Sequence, residues 1–180
     1  MNRTFTIGID GRGIDAAIRG VEEYKQWLEQ KCNKLVQRLA ERGVEVANIG
    51  FASSVYDGTN DFHVTFEDCG ELTKAVVATG STVLFVEFGT GITYPDNHPE
   101  AAANGMIRGS YGKGHGNQVT WGYYGDALGT NGVYATNKDG SIKEPHVVLT
   151  HGNPANMPMY NAVRLLEQEF ESIVREVFAQ

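Results

Sequence analysis

Apolar residues recur every three or four positions from Ile14 to about Arg42: Ile14, Ala17, Ile18, Val21, Tyr24, Leu28, Cys32, Leu35, Val36 and Leu39. That spacing lays one continuous stripe along a helix, with Glu22, Lys25, Glu29, Lys34 and Arg38 on the other side. The pattern predicts a helix over 14–42, roughly 43 Å long at the usual rise. Asp10-Gly11-Arg12-Gly13 offers turn and cap chemistry before it, and Gly43 is placed to terminate it. A helix of that length exceeds what a small core covers, so one end is expected to lie across a sheet or to project toward a neighbouring subunit. A second stripe, Tyr160, Val163, Leu166, Phe170, Ile173, Val174 and Val177, predicts a closing helix over 156–178. Asn156 is its expected cap, and Pro158 falls in its first turn, where a missing amide does little harm.

Between the helices the period shortens to two. Val44 to Ala52 reads as a strand, Tyr56 to Asp61 as a hairpin turn, and Phe62 to Glu67 as a second strand. Leu72 to Thr79 fits either a strand or a short helix. Ser81 to Phe88 alternates Val83, Phe85 and Glu87 with Leu84, Val86 and Phe88, which reads as a covered central strand. Thr4 to Ile9 adds a short edge strand. Short connections make the sheet over 44–90 mostly antiparallel, with about four strands. The fold class is therefore α+β: one domain spanning 1–180, a small sheet packed by a long N-terminal and a C-terminal helix. Residues 91–152 form a long Gly/Tyr-rich loop or insertion holding twelve of the chain's 22 glycines. Tyrosine and tryptophan on adaptable backbone suit an interface. Tyr111, Trp121, Tyr123, Tyr124 and Tyr134 are the candidate contact residues.

Composition narrows the function by exclusion. The 180 residues are 41% hydrophobic and 21% charged, ordinary for one globular domain. Twenty-two acidic residues against fifteen basic ones leave a charge of −7, which opposes gripping nucleic acid through its phosphates. Cys32 and Cys69 read as reduced thiols. No apolar run is long enough for a signal peptide or a membrane span, so synthesis in a cytoplasm and no membrane partner are expected.

Candidate chemistry is sparse. His63, His98, His115, His146 and His151 include no pair spaced for one helical face, so no metal site is expected. Gly112-Lys113-Gly114-His115-Gly116 could form an anion nest, yet it lacks the ending of a phosphate loop. No serine has a nucleophile-elbow context. Glu87 is the one acid that burial could perturb, and its expected partner is a backbone amide, an arginine or another subunit. The reading is no enzyme and no cofactor.

The element order and two motifs carry a resemblance. Val86-Glu87-Phe88-Gly89-Thr90-Gly91 ends the middle region, and Gly152-Asn153-Pro154-Ala155-Asn156-Met157-Pro158 opens the last helix. This resembles the HK97 gp10-like family of tailed-phage head–tail connector and tail-completion proteins. In that family a Val-Glu-x-Gly-Thr element precedes a Pro-centred segment. Met159 and Tyr160 stand where Phe and Leu are common. The resemblance implies a virion structural protein, made in the bacterial host cytoplasm and not an enzyme, with Glu87, Gly89, Thr90, Pro154 and Pro158 as motif residues. It implies a homo-oligomeric ring, commonly a hexamer, that joins connector or adaptor proteins to tail proteins while DNA passes through its channel unbound. The alternatives are a minor capsid or tail-terminator protein of similar fold, or a small-molecule-binding or hydrolytic domain using the Gly-rich loop.

Overall fold

The computed structural model of the chain describes residues 8, 10–54, 61–91, 97–107, 109–110, 118–124 and 132–179, with the backbone alone at Tyr123. The expected edge strand at Thr4–Ile9, the turn at 56–60, Tyr111 and the glycine-rich run at 112–116 lie outside the described residues, apart from Gly8. The architecture is α+β: a long N-terminal helix, a C-terminal helix and two small antiparallel sheets.

Helix α1 runs Gly11–Ser53, 43 residues, or about 64 Å. It starts earlier than the apolar stripe predicts because the Asp10 carboxylate accepts the Gly13 amide at 2.8 Å, closing the first turn. It also ends eleven residues later. Gly43 does not stop it, and the strand expected at Val44–Ala52 is its last turns. The reason is packing. Ala40, Gly43, Ala47 and Phe51 recur at helical spacing and all are buried. Gly43 sits where β2 and the last helix both press in: a Cβ there would meet Val76 at 3.0 Å and Leu166 at 3.3 Å. A glycine that reads as punctuation is in fact a place of close approach.

Strands β1 (His63–Gly70) and β2 (Thr73–Thr79) form an antiparallel hairpin that sets Val64 opposite Ala78 and Phe66 opposite Val76. The segment from Leu72 that fitted either class is thus a strand. Val64 and Phe62 bring this hairpin onto α1, where Phe62 stacks on Phe51 at 5.3 Å.

The expected central strand at Ser81–Phe88 is instead the short helix α2, Val83–Phe88. A six-residue apolar run carries no period long enough to separate helix from strand. Tertiary ties decide it. Asp61 accepts hydrogen bonds from the Ser81 and Thr82 hydroxyls at 2.8 and 3.1 Å, and the Val86 amide donates to the Thr82 carbonyl. Coiling the run turns Val86, Glu87 and Phe88 inward and leaves Leu84 exposed.

The region expected to be loop over 91–152 holds a second sheet. Strands β3 (Trp121–Tyr124), β4 (Gly132–Tyr134) and β5 (Val147–Thr150) order as β3-β5-β4, all antiparallel. So, among the described residues, five strands in two sheets replace the single four-stranded meander. Helix α3, Pro158–Ala179, then runs back antiparallel to α1. Gly50 abuts Pro158, Arg42 grips Glu169 through two 2.8 Å hydrogen bonds, Lys31 donates to the Val177 carbonyl, and Trp27 meets Phe178 edge-on. The core lies where α1, the hairpin, α2 and the start of α3 converge, on Ala47, Phe51, Val64, Val86 and Ala162.

Candidate functional site

The two motifs meet. Gly89 follows α2 with φ 81°, a conformation that β-carbons resist, and swings the chain out of the helix. Thr90 then pairs with Asn153 in both directions. Its amide donates to the Asn153 carbonyl at 2.9 Å, and its hydroxyl oxygen accepts the Asn153 amide at 2.8 Å. One turn back, the Val86 carbonyl accepts the Asn156 amide at 2.9 Å. Gly91 and Gly152 pass each other so closely that a Cβ on Gly152 would lie 2.3 Å from the Thr90 carbonyl oxygen. Two segments more than sixty residues apart thus form one backbone zipper.

Glu87 sits at its centre, with a side chain only 7% exposed. Its Oε2 accepts the Met159 amide at 2.8 Å and its Oε1 accepts the Tyr160 amide at 3.0 Å. Those are second- and third-position amides of α3, the ones an ordinary N-cap residue satisfies. The expected cap, Asn156, does not fill this role: its side chain donates to the Pro154 carbonyl, while the Met157 carbonyl accepts the first helical amide, from Asn161. Met157 has φ 58° and carries no side-chain oxygen to accept those amides. Glu87 therefore caps α3 from another element. The negative carboxylate also faces the positive end of the helix dipole.

His98 completes the cluster. Its Nε2 lies 3.1 Å from Glu87 Oε1, and its Nδ1 accepts the Glu100 amide at 3.0 Å. An Nδ1 that accepts carries no proton, so the Nε2–H donates to the carboxylate. The ring is wedged between Phe88 and Tyr160, with centroids 4.5 and 5.4 Å away. Both ring nitrogens are engaged, and Glu87 already accepts three hydrogen bonds. The arrangement is built to hold a helix end in place. A general base would need a nitrogen or oxygen open to a substrate.

Of the motif residues, Glu87, Gly89 and Thr90 are on one side of this zipper, and Pro154 and Pro158 on the other. Pro158 is fully buried against Gly50 of α1. The aromatic candidates divide. Trp121 and Tyr134 share the β3-β5-β4 face on which Val148 and Thr150 are buried, and Tyr134 meets His146 edge-on. Tyr124 lies on the opposite face and is 78% exposed. Tyr123 is described in backbone only, and Tyr111 is outside the described residues. Among the described residues, no group of three His, Cys, Asp or Glu could hold a metal ion. His98 was legible only as one of five histidines; its tie to Glu87 leaves no local sequence signal, because their partnership is made by the fold.

No family model matches this chain, and neither a curated protein nor a solved structure matches it.

Proposed function

We propose that this chain is a structural subunit of a tailed-phage head–tail junction, a neck or tail-completion protein that closes into a ring between connector and tail. One observation carries the reading. The residues that give the resemblance to the HK97 gp10-like family are the ones that zip together around Glu87. A sequence signature whose halves bond to each other describes a shared piece of architecture.

The rest of the molecule is in keeping with assembly. A rod far longer than its core offers a surface to other subunits, and ring closure needs two different faces on one protomer. An acidic chain lining or flanking a channel lets DNA pass without retaining it. The expected ring is sixfold, the partners are connector or adaptor and tail proteins, and the destination is the virion.

Negative-stain electron microscopy of the purified protein, alone and with connector or tail-tube particles, tests the reading. Closed rings with a central channel, free or seated on a particle end, are the expected result. Protein that forms no ring and decorates neither particle contradicts it.

A further inference from the structure

Strand β1 is an open edge. It pairs with β2 on one side and, among the described residues, with no strand on the other. Its partner β2 lies toward α3: Val76 and Leu166 converge on Gly43, and Ala78 walls a cleft with Met159 and Val163. The outward backbone groups of β1 therefore face solvent. Proteins usually guard such edges with charge, proline or a bulge. Here Glu67, Asp68 and the irregularity between Asp68 and Gly70 guard the tip. The rest of the edge, His63–Phe66, carries no acid, lysine or proline.

The chain holds a segment that fits this edge. Arg3-Thr4-Phe5-Thr6-Ile7 alternates with a period of two and is rich in β-branched and aromatic residues. On β1, Val64 and Phe66 stand opposite Ala78 and Val76 on the core-facing side, and Thr65 points away. A strand laid along β1 with Phe5 and Ile7 on the side of Val64 and Phe66 sets Thr4 and Thr6 on the side of Thr65. The two sides then match in kind, apolar with apolar and threonine with threonine.

That strand cannot come from the same copy. Gly8 lies against the first turn of α1, where a Cβ on Gly13 would meet the Gly8 carbonyl oxygen at 2.6 Å. The hairpin sits far down the rod. Phe62 stacks on Phe51, and Phe66 is opposite Val76 at the level of Gly43, so β1 runs back toward Gly13. Gly43 is about 45 Å along the rod from Gly13. The four further residues to Gly70 close only about 13 Å of that. Fully extended, residues 3–7 reach at most about 18 Å from Gly8, roughly 14 Å short even of the hairpin tip.

We infer that residues 3–7 of one copy add as a strand to the β1 edge of the next. The first turns of one rod then meet the hairpin end of another. These are two different faces of one protomer, as a closing ring requires. The inference rests on the ring reading above and names a contact that builds the ring.

The test uses Thr6→Pro, which removes an amide and blocks strand pairing, with Thr6→Val, which keeps it, as the control. Phe5→Asp is a second variant, and circular dichroism and thermal unfolding check that each is folded. Native mass spectrometry reads the assembly, and hydrogen exchange reads the amides of β1. In wild-type rings the His63–Phe66 amides are expected to exchange more slowly than in the dilute monomer by about tenfold or more. Thr6→Pro and Phe5→Asp are expected to run at the 19.7 kDa chain mass without that protection, and Thr6→Val to keep both rings and protection. Rings that persist in both disrupting variants overturn the strand contact and leave the ring reading standing. So does protection of β1 that survives in them, which would assign the edge to β1–β1 pairing. Loss of rings with β1 unprotected in the wild type also overturns the contact, placing the segment elsewhere. A wild-type protein that forms rings only on connector particles overturns the contact but not the ring reading; one that forms rings nowhere overturns both.

Discussion

At the scale of single residues, Glu87 decides most. It satisfies two helix-end amides and one histidine N–H inside the protein, where an unmet donor costs about 1–3 kcal/mol. Glu87→Ala is therefore expected to destabilise the fold by about 2–4 kcal/mol in urea unfolding, counting the lost cap and the stranded donors. Glu87→Gln keeps one acceptor oxygen and should lose less. Gly89 has a φ of 81°; Gly89→Val is expected to abolish ring formation, and normal rings from that variant would contradict the role given to this turn. Two carboxyls add a pH dependence. The Ser81 hydroxyl and amide hold Asp61 below its ordinary 3.8, and the hydrogen bonds from Arg42 hold Glu169 below its ordinary 4.5. A carboxyl lowered by folding stabilises fully above its unfolded value, and the benefit vanishes as pH falls through the folded value. Melting temperature should thus fall with acid below about pH 4.5, and Glu169→Gln should flatten part of that fall. An unchanged profile would show that the α1–α3 ion pair is not felt in stability.

Elements explain why part of the fold was legible in the sequence and part was not. The two amphipathic stripes are long, so their period identifies helices plainly, and α3 lies within two residues of its expected bounds. The β1 segment has enough alternation to be read as a strand. Val44–Ala52 misleads because β-branched Val44, Val46 and Ile49 favour strands locally, while burial of Ala47 and Phe51 against the core wins. Ser81–Phe88 misleads because its form is set by Asp61, twenty residues earlier. The β3-β5-β4 sheet was missed because its strands are three or four residues long, too short to show a period. At the candidate site, the two motifs were legible from the resemblance, while their contact and the part played by His98 were not. Close approach between elements yields its own prediction. A Cβ on Gly50 would come within 2.8 Å of Pro158. Gly50→Ala gains about 1 kcal/mol of helix propensity but must push α3 away, so a net loss of about 1–2 kcal/mol is expected. A stabilised variant would mean that the α1–α3 contact yields easily.

At the scale of the whole molecule, the design is lopsided. The core, the zipper and the two sheets gather at one end of a 43-residue helix, and its other end leaves an apolar stripe in water. An exposed apolar stripe is the kind of surface that a subunit presents to copies of itself. The account stands on self-assembly, and the native mass of the unmodified protein across a concentration series reads it most directly. The expected result is a single closed species at a small-integer multiple of 19.7 kDa, six being the expected count. A mass of one chain at all concentrations, unchanged when connector or tail particles are added, would contradict it.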